Sequence, residues 1–186
     1  MKRILFPFSI LLIMVSLAVK GQHQSTAEYL FLEYLNNYQK DSLQNLLSED
    51  FEFKRSYTTL TMDKANLIEK YLPESKAFQG KFIVLKVLHQ QDPKQFLVED
   101  QSNYLKYLKV DYPTWKMTIT VKNNLIEQVY MDTTDKYQDY VKNVKIVAKV
   151  FMNWLQKHYP EETEERLFNE EGLLEKRLKE YSEKEE

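Results

Sequence analysis

The chain of 186 residues carries 26 basic and 28 acidic residues for a net charge of −2, with 13 tyrosines, 10 phenylalanines and no cysteine. That length fits one domain with an adequate core, and the lack of cysteine excludes disulfides, thiol catalysis and cysteine-ligated metal. A mildly acidic balance argues against nucleic acid, which calls for a clustered basic face.

Lys2-Arg3 precede an apolar run from Ile4 to Val19, and Val19-Lys20-Gly21 offers small residues where a signal peptidase cuts. Residues 1–21 therefore read as a secretory signal peptide, with Gln22 as the new N-terminus. The run is short for a spanning helix and holds Pro7. No cysteine stands near the cut to carry a lipid. Export to the periplasm or the medium is expected, with no membrane attachment after cleavage. Cleavage removes Lys2, Arg3 and Lys20 but no acid, which moves the net charge from −2 to −5.

Ser25 and Glu28 make a capping box at the start of a first helix, whose buried face is Ala27, Leu30, Phe31, Tyr34, Leu35 and Tyr38. Asn36-Asn37 weakens its end, and Asp41 caps a short second helix with Leu43, Leu46 and Leu47. Phe51 to Tyr57 alternates as a strand. A third helix spans Met62 to Leu72, where Pro73 is expected to end it. Strands follow from Lys81, with a turn at Gln91–Lys94 and a break near Gln101–Asn103.

The sharpest pattern is Thr114 to Asp132. Trp115, Met117, Ile119 and Val121 alternate with Lys116, Thr118, Thr120 and Lys122, as a strand with one buried face does. Asn123-Asn124 suits a two-residue hairpin turn. An unbroken register then sets Val121 opposite Ile126, Ile119 opposite Gln128, Met117 opposite Tyr130 and Trp115 opposite Asp132. That register brings three polar groups onto an apolar face, where they need partners or a ligand. Beyond it, a helix capped by Thr133 or Thr134 runs to Tyr159, Pro160 stops it, and two more helices divide around Asn169–Gly172.

Helices followed by a sheet that ends in a hairpin resemble the NTF2-like (SnoaL-like) superfamily. The resemblance is carried by LQNLLSEDFEFKRSY, residues 43–57, and VKNNLIEQVYMD, residues 121–132. It implies an α+β fold with a cystatin-like cone, one curved antiparallel sheet wrapped over the N-terminal helices. The core would span residues 25–132 and a helical extension residues 133–182, all within one domain from residue 22. It also implies a conical cavity, which members use as isomerases, cyclases or dehydratases, or only to bind ligands and partners. Fold alone does not choose among these.

In that cavity Asp132 is a candidate acid or base, with helix capping as its structural alternative. Gln128 and Tyr130 would line the same space, unless each is satisfied by backbone or neighbours. Asp50 reads as a turn-tightening carboxylate. Glu99 and Asp100 fall on opposite sides of one strand, so at most one faces the cavity, and edge solubility explains both. His23, His89 and His158 are scattered, no metal spacing occurs, and three glycines supply no phosphate loop. The aromatic stripe of Tyr140, Phe151 and Trp154 packs on the same chain or docks a partner or second subunit.

The expected function is non-enzymatic binding of a small, partly apolar or amphipathic molecule through Trp115, Met117, Gln128, Tyr130, Asp132 and Tyr57. A small isomerase or dehydratase using Asp132 is one alternative. The other is an interaction scaffold, homodimeric or with a protein partner, through the C-terminal helices. No cofactor or metal is expected.

Overall fold

The structure is a computed structural model that describes residues 26–184. The expected signal peptide and Ser25 lie outside the described residues. Six strands form one sheet in the order β2-β1-β6-β5-β4-β3. They are β1 (Leu47–Arg55), β2 (Met62–Asp63), β3 (Lys81–His89), β4 (Lys94–Gln101), β5 (Thr114–Lys122) and β6 (Leu125–Thr133). Neighbours run antiparallel except β1 and β6, which pair in parallel. This is the α+β cone that the NTF2-like resemblance implies, with one parallel pair in place of the all-antiparallel sheet.

Apolar periodicity explains which helices fill the cone. α1 (Ala27–Asn36) buries Phe31, Leu32 and Leu35, and α2 (Lys40–Leu46) buries Leu43. They meet Phe51 and Phe53 of β1, Phe96 and Val98 of β4, and Met117 and Ile119 of β5 in one core. Large side chains therefore fill the deep part of the cone, where Phe31, Phe96, Met117 and Ile119 are fully buried. Two register shifts between β3 and β4 bend this edge of the sheet. Asn36, expected only to weaken α1, ties its end to that edge. Its Nδ2 donates to Phe82 O at 2.9 Å, and its Oδ1 accepts from Phe82 N at 2.8 Å.

The third helix runs on past Pro73. α3 (Lys64–Asn66) passes into a π-helical turn (Leu67–Tyr71) and then α4 (Leu72–Ala77). The Leu72 N–H donates to Leu67 O, so the widened turn shifts the hydrogen-bond ladder just where proline has no N–H to give. The break foreseen after β4 is real: Ser102 caps α5 (Asn103–Tyr107) by accepting from Leu105 N at 3.3 Å.

The C-terminal helices are α6 (Tyr137–His158), α7 (Glu164–Asn169) and α8 (Leu173–Lys184). They build a second core with α5, in which Leu105 and Leu108 meet Phe151, Leu155, Leu167 and Leu178. The aromatic stripe of α6 thus packs on its own chain. Arg177 is buried there between Glu162 and Glu180, with its guanidinium 3.6 Å from the Tyr159 ring centre. Among the described residues no helix is long and apolar enough to cross a membrane.

The capping box takes a different form from the one expected. Thr26 is the N-cap of α1 and makes no capping bond; its Oγ1 accepts instead from Lys94 Nζ at 3.0 Å. Lys94 also lies 3.2 Å from the Glu28 carboxylate and 5.0 Å from the Tyr29 ring centre. Burial would raise the Glu28 pKa, but its bonds to Thr26 and Lys94 outweigh that and hold it below its ordinary value. Removing one partner leaves the other charge buried and unpaired. Lys94→Met is expected to lower the free energy of unfolding by about 2–4 kcal/mol in urea titration. The double variant Glu28→Gln/Lys94→Met should recover much of that loss, and two near-neutral single variants would show that the pair is dispensable.

Candidate functional site

The β5–β6 hairpin closes as its sequence demands. Asn123 and Asn124 have φ of 52° and 64°, and Val121 pairs with Ile126. One residue later the ladder shifts, so that Thr120 pairs with Gln128 and Glu127 is the extra residue of a bulge. Beyond it Met117 faces Met131, Lys116 faces Asp132 and Trp115 faces Thr133. The expected register of Ile119 with Gln128 and Trp115 with Asp132 is thus corrected by one residue. Such a slip sends each following side chain to the other face. Val129 and Met131 enter the core, while Gln128, Tyr130 and Asp132 join the face that carries Lys116 and Thr118. The gain is apolar burial in place of three buried polar groups.

Of the expected site residues, the structure brings Trp115 and Tyr57 together at the mouth of the cone. Their rings stack at 5.2 Å, and Tyr137 of α6 stacks on Tyr57 at 5.3 Å. Tyr140 meets Trp115 edge-on at 6.3 Å. Met117 lies deeper, fully buried in the core. Tyr130 is 37% exposed on the far face, and Asp132 accepts from the Thr133 N–H at 2.8 Å, with no capping bond to α6.

The carboxylate that does face the cone is Asp100. It shares the parity of Phe96 and Val98 on β4, while Glu99 pairs with Thr114 and points away. Burial pushes the Asp100 carboxyl up to about 6, only partly offset by the Trp115 indole N–H and the Arg55 guanidinium. The same residues explain its neighbours. Burial, reinforced by the Asp100 charge, raises the Tyr71 hydroxyl well above its ordinary value and pushes Tyr140 up to about 12. Burial likewise raises Tyr57. Trp115 is only 4% exposed, and its indole N–H is turned toward the Asp100 carboxyl without closing a hydrogen bond of full geometry.

Arg55, which shares the parity of Phe51 and Phe53 on β1, completes the group. Its Cζ stands 5.0 Å from the Phe53 ring centre and 5.9 Å from that of Tyr71. The cluster thus combines a carboxyl, a guanidinium, an indole N–H and several tyrosine hydroxyls within aromatic walls. Beside it a cleft of about 780 Å³ opens between the α5–β5 connection and the start of α6, lined in part by Lys106, Lys109 and Asp111. Tyr137 and Tyr140 line this cleft and also touch Trp115, so they form the wall between cleft and cone mouth. Among the described residues no group of three or more metal-binding side chains occurs.

No protein-family model matches the chain, and no curated protein matches it. Solved structures do. An NTF2-like protein of unknown function from Cytophaga hutchinsonii is 14% identical, over 63% of this chain and 98% of its own, with a TM-score of 0.46. A putative ketosteroid isomerase from Kribbella flavida is 14% identical over 59% and 76%, with a TM-score of 0.47. An LEH-like epoxide hydrolase from M. tuberculosis is 11% identical over 66% and 87%, also at 0.47.

The Asp100 carboxyl binds its proton more tightly in the folded chain, near 6 against an ordinary 3.8. Its contribution to stability is full below the unfolded value and lost as pH rises through the folded one. Asp100→Asn is therefore expected to be more stable than the parent above about pH 6, by about 1–2 kcal/mol. The gap should close below about pH 4, as read by urea unfolding across the range.

Proposed function

We propose that the chain is an exported binding module that holds a small, partly apolar molecule at the mouth of its cone. Phenylalanines, Met117 and Ile119 fill the deep cone, so binding is confined to the rim. There Trp115, Tyr57, Tyr71, Tyr137 and Tyr140 supply apolar walls, and Asp100 and Arg55 supply polarity. A few polar groups inside an aromatic surround is the usual composition of a small-molecule site. The observation that carries the reading is the inward Asp100 carboxyl, raised by burial among aromatic walls and answered only by Trp115 and Arg55. Tyr57, 41% exposed on the loop after β1, covers the site from outside.

A second reading keeps the same residues but adds chemistry. A carboxyl near pH 6 is suited to proton transfer at neutral pH, and this makes Asp100 the acid or base of an isomerase- or dehydratase-type enzyme. Asp132, the carboxylate first considered for that role, lies on the other face.

Binding is measured with 2-naphthol, a small neutral aromatic probe, in ¹H–¹⁵N spectra of the full chain. The Trp115 indole resonance is expected to shift, with a dissociation constant on the order of 0.1–1 mM for a ligand of this size. Tyr140→Ala, which removes one wall, should weaken binding several-fold. Saturating probe that leaves that resonance unmoved would defeat the reading.

A further inference from the structure

Arg55 is a guanidinium with no acceptor. It faces inward from β1 with its Cζ 5.0 Å from the Phe53 ring centre and 5.9 Å from that of Tyr71. Among the described residues it closes no hydrogen bond and no ion pair; Asp100 acts on it through space only. A guanidinium carries five N–H donors in a planar fork, and no protein acceptor takes those of Arg55 among the described residues. The Trp115 indole N–H, buried at 4% exposure, is turned toward the Asp100 carboxyl without closing a hydrogen bond of full geometry. The one carboxyl near Arg55 at the cone mouth is Asp100, which burial keeps largely protonated below about pH 6, so the guanidinium lacks a charged partner there.

Resting on the binding reading above, we infer that the molecule held at the mouth is an amphiphile whose charged end is a carboxylate. The Arg55 guanidinium holds that end, and the apolar body lies against Tyr57, Tyr137 and Tyr140. A planar carboxylate fits the fork of a guanidinium in a bidentate way. A dianion such as a phosphate monoester fits poorly, because Arg55 is the one cation facing Asp100 among the described residues that shape its charge. A ligand carboxylate becomes a second acid beside Asp100, and two adjacent carboxylates repel unless one holds a proton. Facing Asp100 are Arg55 from β1, Tyr57 from the following loop, Tyr71 from the π turn, Trp115 from β5 and Tyr140 from α6. The three tyrosines are all shifted upward and stay protonated at neutral pH, so Asp100 is the group that titrates between pH 5 and 8.

The test compares 2-naphthoate with 2-naphthol on the full chain carrying Trp154→Phe, which leaves Trp115 as the single indole signal. At pH 5 the carboxylate is expected to bind at least about tenfold more tightly than the alcohol, the equivalent of one charge-assisted bond. Arg55→Met should erase that advantage, and its urea unfolding transition, matched to the parent's, shows that the variant is folded. Arg55→Lys, with its charge but no fork, should retain part of it. Raising the pH to 8 should weaken 2-naphthoate several-fold in the parent and leave Asp100→Asn unaffected. Equal affinity for the two probes, or an Arg55→Met variant with an unchanged ratio, overturns the carboxylate inference and leaves the binding site standing. Failure of both probes to move the Trp115 signal defeats the binding reading, and this inference with it.

Discussion

The arrangement of the cone mouth depends on one extra residue in the final hairpin. Glu127 bulges out of β6, and from that point the strand presents Val129 and Met131 to the core. Without the bulge the inner face would carry Gln128, Tyr130 and Asp132, three groups whose desolvation no neighbour offsets. With it, Thr133 is the β6 residue paired with Trp115, and the space before the indole is left to Asp100, Tyr57 and Tyr140. The bulge thus decides both that the deep cone is apolar and which carboxylate belongs to the rim.

The parallel placement of β1 beside β6 supplies the other half of the rim. Antiparallel neighbours alone would carry β1 toward the hairpin turn. Parallel pairing carries it in the direction of Thr133, with Arg55 beside Met131 and the Ser56 N–H donating to Met131 O at 2.9 Å. The chain then turns with Tyr57 over Trp115. From the opposite side α6 delivers Tyr137 and Tyr140. Its far half is held by Phe151 and Leu155 in the second core, so its first turn is held as the end of a long, anchored rod.

Much of this was legible in the chain. The helices, the hairpin turn and the break after β4 follow from apolar spacing, from two asparagines and from Ser102. The bulge was legible too, in a subtler form: Ile126, Val129 and Met131 are separated by three residues and then two, and only a slip reconciles that spacing with one buried face. Asp100 shares its parity with Phe96 and Val98, and Arg55 with Phe51 and Phe53, so alternation alone places both inside. A solubility role for Asp100 treats its charge as decisive and its parity as secondary. The π turn that carries a helix through Pro73 had no comparable signal, since it depends on how Leu67, Ile68 and Leu72 seat against the sheet. Nor did the Lys94–Glu28 contact, which joins residues brought close only by the fold.

The two cores explain why polar groups persist at the mouth. The cone core is continuous from α1 to β6, and the second core is continuous from α5 to α8; Tyr140 packs against both. Where two independently packed surfaces meet, neither fixes side chains on the other as closely as it packs its own interior. Polar groups such as Asp100 and Arg55 are most easily tolerated at such a seam, because the apolar burial on either side supplies stability that does not depend on them. A seam of this kind is also where a ligand displaces the fewest packed contacts. The bulge, the parallel strand and the anchored helix therefore converge on one consequence: Arg55, Asp100 and Trp115 are gathered at the rim, between cores, while the hairpin's polar side chains face outward.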